Sequence, residues 1–157
     1  MIYSKRKMKI LRQTSITFIL FLISLIEVYL NTFISLNIGI YIFFIALIFI
    51  GTDFFDRGIV IPIFFSGVLY DSFFSTYYLG LYSAIFLLVV IVSNFLVLKF
   101  TKTNTVHFTI ISICLLIYKS PIIFEFDINY WLYNYLSSVF VNFTIYLFFK
   151  RILRINV

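Results

Sequence analysis

From position 79 to 98 the chain carries no charged side chain, and a stretch of that length and apolarity has few places to go. As a helix rising ~1.5 Å per residue it is about 30 Å long, the thickness of a bilayer's hydrocarbon core. Its many Val, Ile and Phe residues favour strands in water. A membrane barrel strand must alternate apolar and polar residues, however, and this stretch does not. Continuous apolarity therefore means a helix, which closes its backbone hydrogen bonds within itself. Five more apolar runs accompany it. Together they predict an all-α integral membrane protein, one polytopic domain forming a six-transmembrane-helix bundle, with spans near 14–30, 36–50, 58–74, 79–98, 105–118 and 130–149.

Composition supports the same class. The chain has 157 residues, of which 63% are hydrophobic and 11% charged; soluble domains average about 25% charged. No soluble domain this small has the interior to hide so many large apolar side chains. The fifth run is the shortest and starts polar, but the charge pattern requires it. With six spans, every Lys and Arg except Lys119 falls on one side, and that asymmetry predicts both termini in the cytoplasm. Without the fifth span, Lys150, Arg151 and Arg154 would lie outside. The net charge of +6 thus belongs to the flanks of membrane helices and does not suggest nucleic-acid binding. The basic start followed by an apolar run resembles a secretory signal. The first alanine is Ala46, though, so no small-residue cleavage site is present and the segment reads as a retained span.

Catalytic patterns are sparse. His107 is the sole histidine and lies near Lys102, where an interfacial polar residue is the ordinary reading. Cys114 is the sole cysteine, which rules out an internal disulfide and a thiolate metal cluster. The five glycines are scattered, so no phosphate-cradling loop exists, and no nucleophile stands beside a base. The expectation is a protein that is not an enzyme and uses no cofactor or metal.

The carboxylates divide into two groups. Asp53, Asp56, Glu125 and Asp127 fall in loops and read as solvated. Glu27 and Asp71 interrupt apolar runs, where an ionisable group asks for a partner or a wet cavity. Each follows a basic residue, Arg12 or Arg57, by a similar number of positions. At helical rise both would stand roughly 21–23 Å above the cytoplasmic side. Glu27 is close to the end of its span, so reaching the outer headgroups is its favoured reading, with a bundle role held second. For Asp71, with Gly67 one turn before it, a structural or partner-binding role in the bundle is favoured. Gly80 and Ala84 form a small-xxx-small pair at the start of the fourth span, a pattern that permits close helix contact. Gly67, Asp71, Gly80 and Ala84 are accordingly the candidate helix-packing or partner-contact residues.

These positions also carry a resemblance. Gly67-Val68-Leu69-Tyr70-Asp71, a short turn, and Leu79-Gly80-Leu81-Tyr82-Ser83-Ala84 resemble the central signature of the rod shape-determining protein MreD family. The turn 75–78 lacks the glycine often found there, and Val68 stands where leucine is common. The resemblance implies a non-enzymatic multi-pass scaffold of the bacterial cytoplasmic membrane, regulating lateral peptidoglycan synthesis and rod shape. It implies an MreC-like single-span partner, together with MreB, RodA and a class-B penicillin-binding protein. The family supplies no catalytic residues to carry over. The alternative is a membrane-embedded substrate-binding subunit of an energy-coupling vitamin transporter. That alternative predicts a pocket near the outer face drawn from Glu27, Asp71, Trp131 and the loop 119–129. A lipid-modifying enzyme is a more distant third class.

Overall fold

A computed structural model describes residues 2–33, 39–74, 78–100, 103–121 and 128–153, with side chains from Leu11 onward in the first helix and from Trp131 onward in the last. The basic arm before Leu11, most of the turn 75–78, Lys102, Glu125, Asp127 and Arg154 lie outside what is described at side-chain level. The described chain is helical, with six α-helices and no strand. Four stretches are long and apolar enough to cross a membrane: Leu11–Phe33, Arg57–Phe74, Leu81–Lys99 and Trp131–Ile152.

The first helix, α1, runs Ile2–Phe33 without a break, so the basic arm and the first expected span form one helix. Nothing in the arm interrupts it. Thr14, Ser15 and Thr17 turn their hydroxyls back onto carbonyls of the preceding turn instead of ending the helix. Next in order come α2 (Ile42–Thr52), a 3-10 turn (Arg57–Ile59), α3 (Val60–Phe74), α4 (Leu81–Lys99), α5 (Asn104–Tyr118) and α6 (Ile128–Ile152). Pro62 sits in the first turn of α3, where its missing N–H costs least. Thr103 caps α5, its hydroxyl accepting from Val106 N–H at 3.4 Å.

At the centre lies α2, touching α1, α4, α5 and α6. Its Phe43, Phe44, Ile45, Leu47 and Ile48 are fully buried, because an apolar helix with neighbours on all sides needs no polar face. It has 11 residues and α5 has 15, both fewer than the ~20 of a straight crossing. The second helix also starts later than the sequence predicts. Residues 39–41 are non-helical, for a reason that belongs to the site described next. Around this centre, α3 packs against α1 and α4, and α6 against α5 and α2.

Two glycines set the tightest approaches. A Cβ on Gly67 would press on Ser83 Cα and lie 2.8 Å from Ser83 N, so α3 and α4 meet almost backbone to backbone. A Cβ on Gly51 would lie 2.8 Å from Val90 O and against Ser93 Oγ, which does the same for α2 and α4. Large apolar side chains remain outward on α1, α3, α4 and α6, among them Phe18, Ile26, Phe65, Ile91, Phe95 and Phe140. Such a coat is untenable in water and ordinary against lipid acyl chains. The molecule is built as a membrane protein.

Candidate functional site

Asp71 sits near the end of α3, 5% exposed. Its Oδ2 accepts Gly80 N–H at 2.8 Å and its Oδ1 accepts Tyr82 N–H at 3.1 Å. The first turn of a helix leaves its N–H groups without intrahelical partners, and α4 has no capping side chain of its own. A carboxylate from the preceding helix therefore does the capping, where the helix dipole also favours negative charge. Gly80 makes the geometry possible. Its φ of +98° turns the backbone so that its own N–H and that of Tyr82 both face Asp71, and that conformation strains any residue with a Cβ. Gly67, Asp71 and Gly80 thus act at one joint. Ala84 does not: it is exposed on the outer face of α4. The small residue of α4 that meets Gly67 is Ser83, which the small-xxx-small pattern passes over.

Glu27 departs from the headgroup reading. It is 4% exposed and its carboxylate is inside the bundle. Oε2 accepts Phe43 N–H at 2.7 Å and Phe44 N–H at 3.3 Å, while Oε1 accepts the Tyr118 hydroxyl at 2.5 Å. Glu27 thus does for α2 what Asp71 does for α4. The non-helical segment before α2 is held in the same way. Asn31 takes both backbone groups of Ile40, donating Nδ2–H to its carbonyl and accepting its N–H, each at 3.0 Å. Asn142 accepts Tyr41 N–H at 2.8 Å and donates to Gly39 O at 2.9 Å, and Ser138 Oγ accepts Gly39 N–H at 3.2 Å. Non-helical backbone packed among helices needs its polar groups satisfied by protein, and three side chains from α1 and α6 do so here.

Beside this segment is a cavity of about 370 Å³. Its lining comes from the last part of α1, α3 and α5 and the first part of α4 and α6, so it opens at one end of the up-and-down bundle. Around it stand Glu27, Tyr41, Tyr70, Tyr82, Tyr118 and Lys119, with exposed Thr32 at the rim. Tyr41 meets Tyr118 edge-on with ring centroids 5.7 Å apart, and Tyr70 lies 4.8 Å from Tyr82. Lys119 is 3% exposed. Its ammonium donates to Asn134 Oδ1 and lies 5.4 Å from the Tyr41 ring centroid. Burial lowers its pKa from 10.5 to about 8, as expected for an ammonium drawn out of water. Of the residues expected in an outer pocket, Glu27 and Lys119 line this cavity, whereas Asp71 and Trp131 do not; Trp131 stacks on Tyr135 at 5.2 Å.

At the opposite end His107 is buried within the bundle as well. Its Nδ1–H donates to Thr103 O at 2.8 Å, since a carbonyl only accepts; Nε2 is then the acceptor facing Lys150 Nζ at 3.4 Å. The ring stacks on Tyr146. Among the described residues, no three His, Cys, Asp or Glu side chains gather where they could hold a metal ion.

Sequence reasoning passed over Asn31, Ser138, Asn142 and Tyr118. A signal existed for the first three: Glu27 and Asn31, and Ser138 and Asn142, are polar pairs four residues apart within apolar helices, and so share a face. Tyr118 gave none, being one of twelve tyrosines. No family model, curated protein or solved structure matches this chain.

Proposed function

We propose that this chain is a six-span scaffold of the MreD type in the bacterial cytoplasmic membrane, with both termini cytoplasmic and the cavity at the outer face. It binds an MreC-like single-span protein and, with MreB, RodA and a class-B penicillin-binding protein, regulates peptidoglycan synthesis along the side wall. The observation that carries this reading is the α3–α4 hairpin. The residues behind the resemblance, Gly67, Asp71 and Gly80, lock its backbone. The lock leaves Phe73, Tyr78 and Leu79 standing out at its tip, 67%, 90% and 71% exposed. Below them Ala84, Leu88, Ile91 and Phe95 form an outward stripe along α4. A preorganised apolar ridge that begins on a small residue suits a single incoming helix. The test is co-purification with an MreC-like protein, together with rounding of rod-shaped cells on depletion. Normal shape in a host lacking a second copy would sink the reading.

The cavity favours a second reading, the substrate-binding subunit of an energy-coupling vitamin transporter, whose ATPases are separate proteins. Its volume falls within the ~300–1,000 Å³ of small-molecule sites, and its tyrosine rings with Glu27, Asn31, Lys119 and Asn134 among them offer both stacking surface and polar anchors. Native mass spectrometry of the purified protein decides it: a retained vitamin supports this reading, and empty protein that co-purifies MreC supports the first.

A further inference from the structure

The two charged groups of the cavity are not in the same condition. Glu27 is fully engaged, holding two backbone N–H groups and one tyrosine hydroxyl, and its charge faces the positive end of α2. Lys119 is not. Its ammonium has three donors and meets one acceptor, Asn134 Oδ1. Among the described residues no carboxylate is within ion-pair reach of it. Two further donors, the hydroxyls of Tyr41 and Tyr70, line the same space with no hydrogen-bond partner among the described residues. Among the described residues, the Lys119 ammonium and these hydroxyls are therefore short of acceptors, no carboxylate pairs with the ammonium, and tyrosine rings wall the space.

We infer that this cavity binds a small organic anion, its carboxylate received by Lys119 with the Tyr41 and Tyr70 hydroxyls within the same lining, and its flat body among the tyrosine rings. A charge drawn out of water is tolerated when it is paired; here the counter-charge arrives with the ligand. An incoming cation would meet the Lys119 ammonium and find the Glu27 lone pairs mostly taken. The inference deepens the transporter reading, resting on the cavity being a ligand site, and holds equally for a scaffold that carries a bound molecule.

The experiment uses the full chain purified in detergent and measures thermal shifts with benzoate, 4-hydroxybenzoate and indole-3-acetate. The matching amides and ammonium compounds serve as charge controls. The acids are expected to raise Tm by several degrees, with the amides and ammoniums at least tenfold weaker. The acid-specific shift should vanish in Lys119→Met, persist in Lys119→Arg, and need several-fold more acid in Tyr70→Phe, a milder change should the methionine variant fail to fold. Absence of an acid preference across the panel overturns the inference, as does a shift retained in Lys119→Met. A shift produced only by phosphatidylglycerol overturns it in favour of a lipid headgroup. An acid shift that appears only in Glu125→Gln/Asp127→Asn would show that the chain supplies its own carboxylate, and also overturns it. If the acids bind while no ATPase subunit co-purifies, the transporter reading falls and the anion site stands.

Discussion

The Tyr118 hydroxyl donates to Glu27 Oε1 at 2.5 Å across 91 positions of sequence, joining the end of α5 to α1 at the buried start of α2. Glu27→Leu would leave two backbone N–H groups and this hydroxyl without acceptors. At roughly 1–3 kcal/mol for each buried unsatisfied group, it is expected to cost at least ~3 kcal/mol. Glu27→Gln, which keeps one carbonyl acceptor, should recover more than half. Unfolding in mixed SDS and detergent micelles measures both.

Gly67 and Gly80 are intolerant for different reasons. Gly67→Ala places a methyl against the Ser83 backbone, which cannot swing aside, and should cost about 1–3 kcal/mol as overpacking. A Cβ on Gly80 meets nothing within 4 Å, so Gly80→Ala should cost only the ~1–2 kcal/mol of a left-handed backbone. Both losses should persist in a Ser83→Gly background, because the clash at Gly67 is with Ser83 Cα and N, which a glycine keeps.

Asp71→Asn keeps one side-chain oxygen and can still take one of the two N–H groups of α4. Its expected cost is about 1 kcal/mol, against about 2–3 for Asp71→Leu, which leaves both unsatisfied. Hydrogen exchange at Gly80 and Tyr82 is the local readout, and both amides should lose protection in the leucine variant.

Ala84 separates folding from partnership. It faces outward, so Ala84→Phe should shift stability by no more than ~0.5 kcal/mol. If the α4 stripe receives a partner helix, recovery of the MreC-like protein should fall about tenfold. Unchanged recovery would move the docking surface elsewhere.

Lys119 gives a pH dependence with a definite sign. Its folded pKa is about 8, below its ordinary 10.5, so between those values the unfolded chain holds more protons and stability rises with pH. Below pH 8 the buried ammonium is a constant cost. Glu27, Tyr41, Tyr70, Tyr82, Tyr118 and Asn134 share its cavity, so the Lys119→Met difference isolates its part. That difference should narrow from pH 8 to 10.5. Stabilisation by the aromatic acids should fade over the same range as the ammonium loses its proton.

Helix class was legible because apolar runs of span length have one stable form in lipid, and four helices of the described chain are long and apolar enough to cross. The α3–α4 joint was legible in part. Gly67 and Asp71 stood out against apolar surroundings, but that Asp71 caps α4 depends on where Gly80 turns the chain. Glu27 was misplaced because its position near the end of a span says nothing of a second helix beginning inside the bundle beside it. That beginning is set by Asn31 and Asn142, from helices at opposite ends of the sequence, and a one-dimensional pattern does not show that they converge. Lys119 read as the lone basic residue of its face and, under the transporter alternative, as the start of a pocket-lining loop; that α5 ends at a cavity follows from the convergence of α1, α4 and α6 on it.

The segment before α2 also bears on how the protein is made. Gly39 and Tyr41 receive their acceptors from Ser138 and Asn142 on α6, 99 and 101 positions further along the chain, so α6 leaves the ribosome well after α2. Until then the backbone groups of Gly39 and Tyr41 lack these side-chain partners. The central helix therefore reaches its final position only after α6 has been made. A ribosome stalled before residue 138 should hold a nascent chain in which α2 still samples the water interface, where a membrane-surveying protease can reach it.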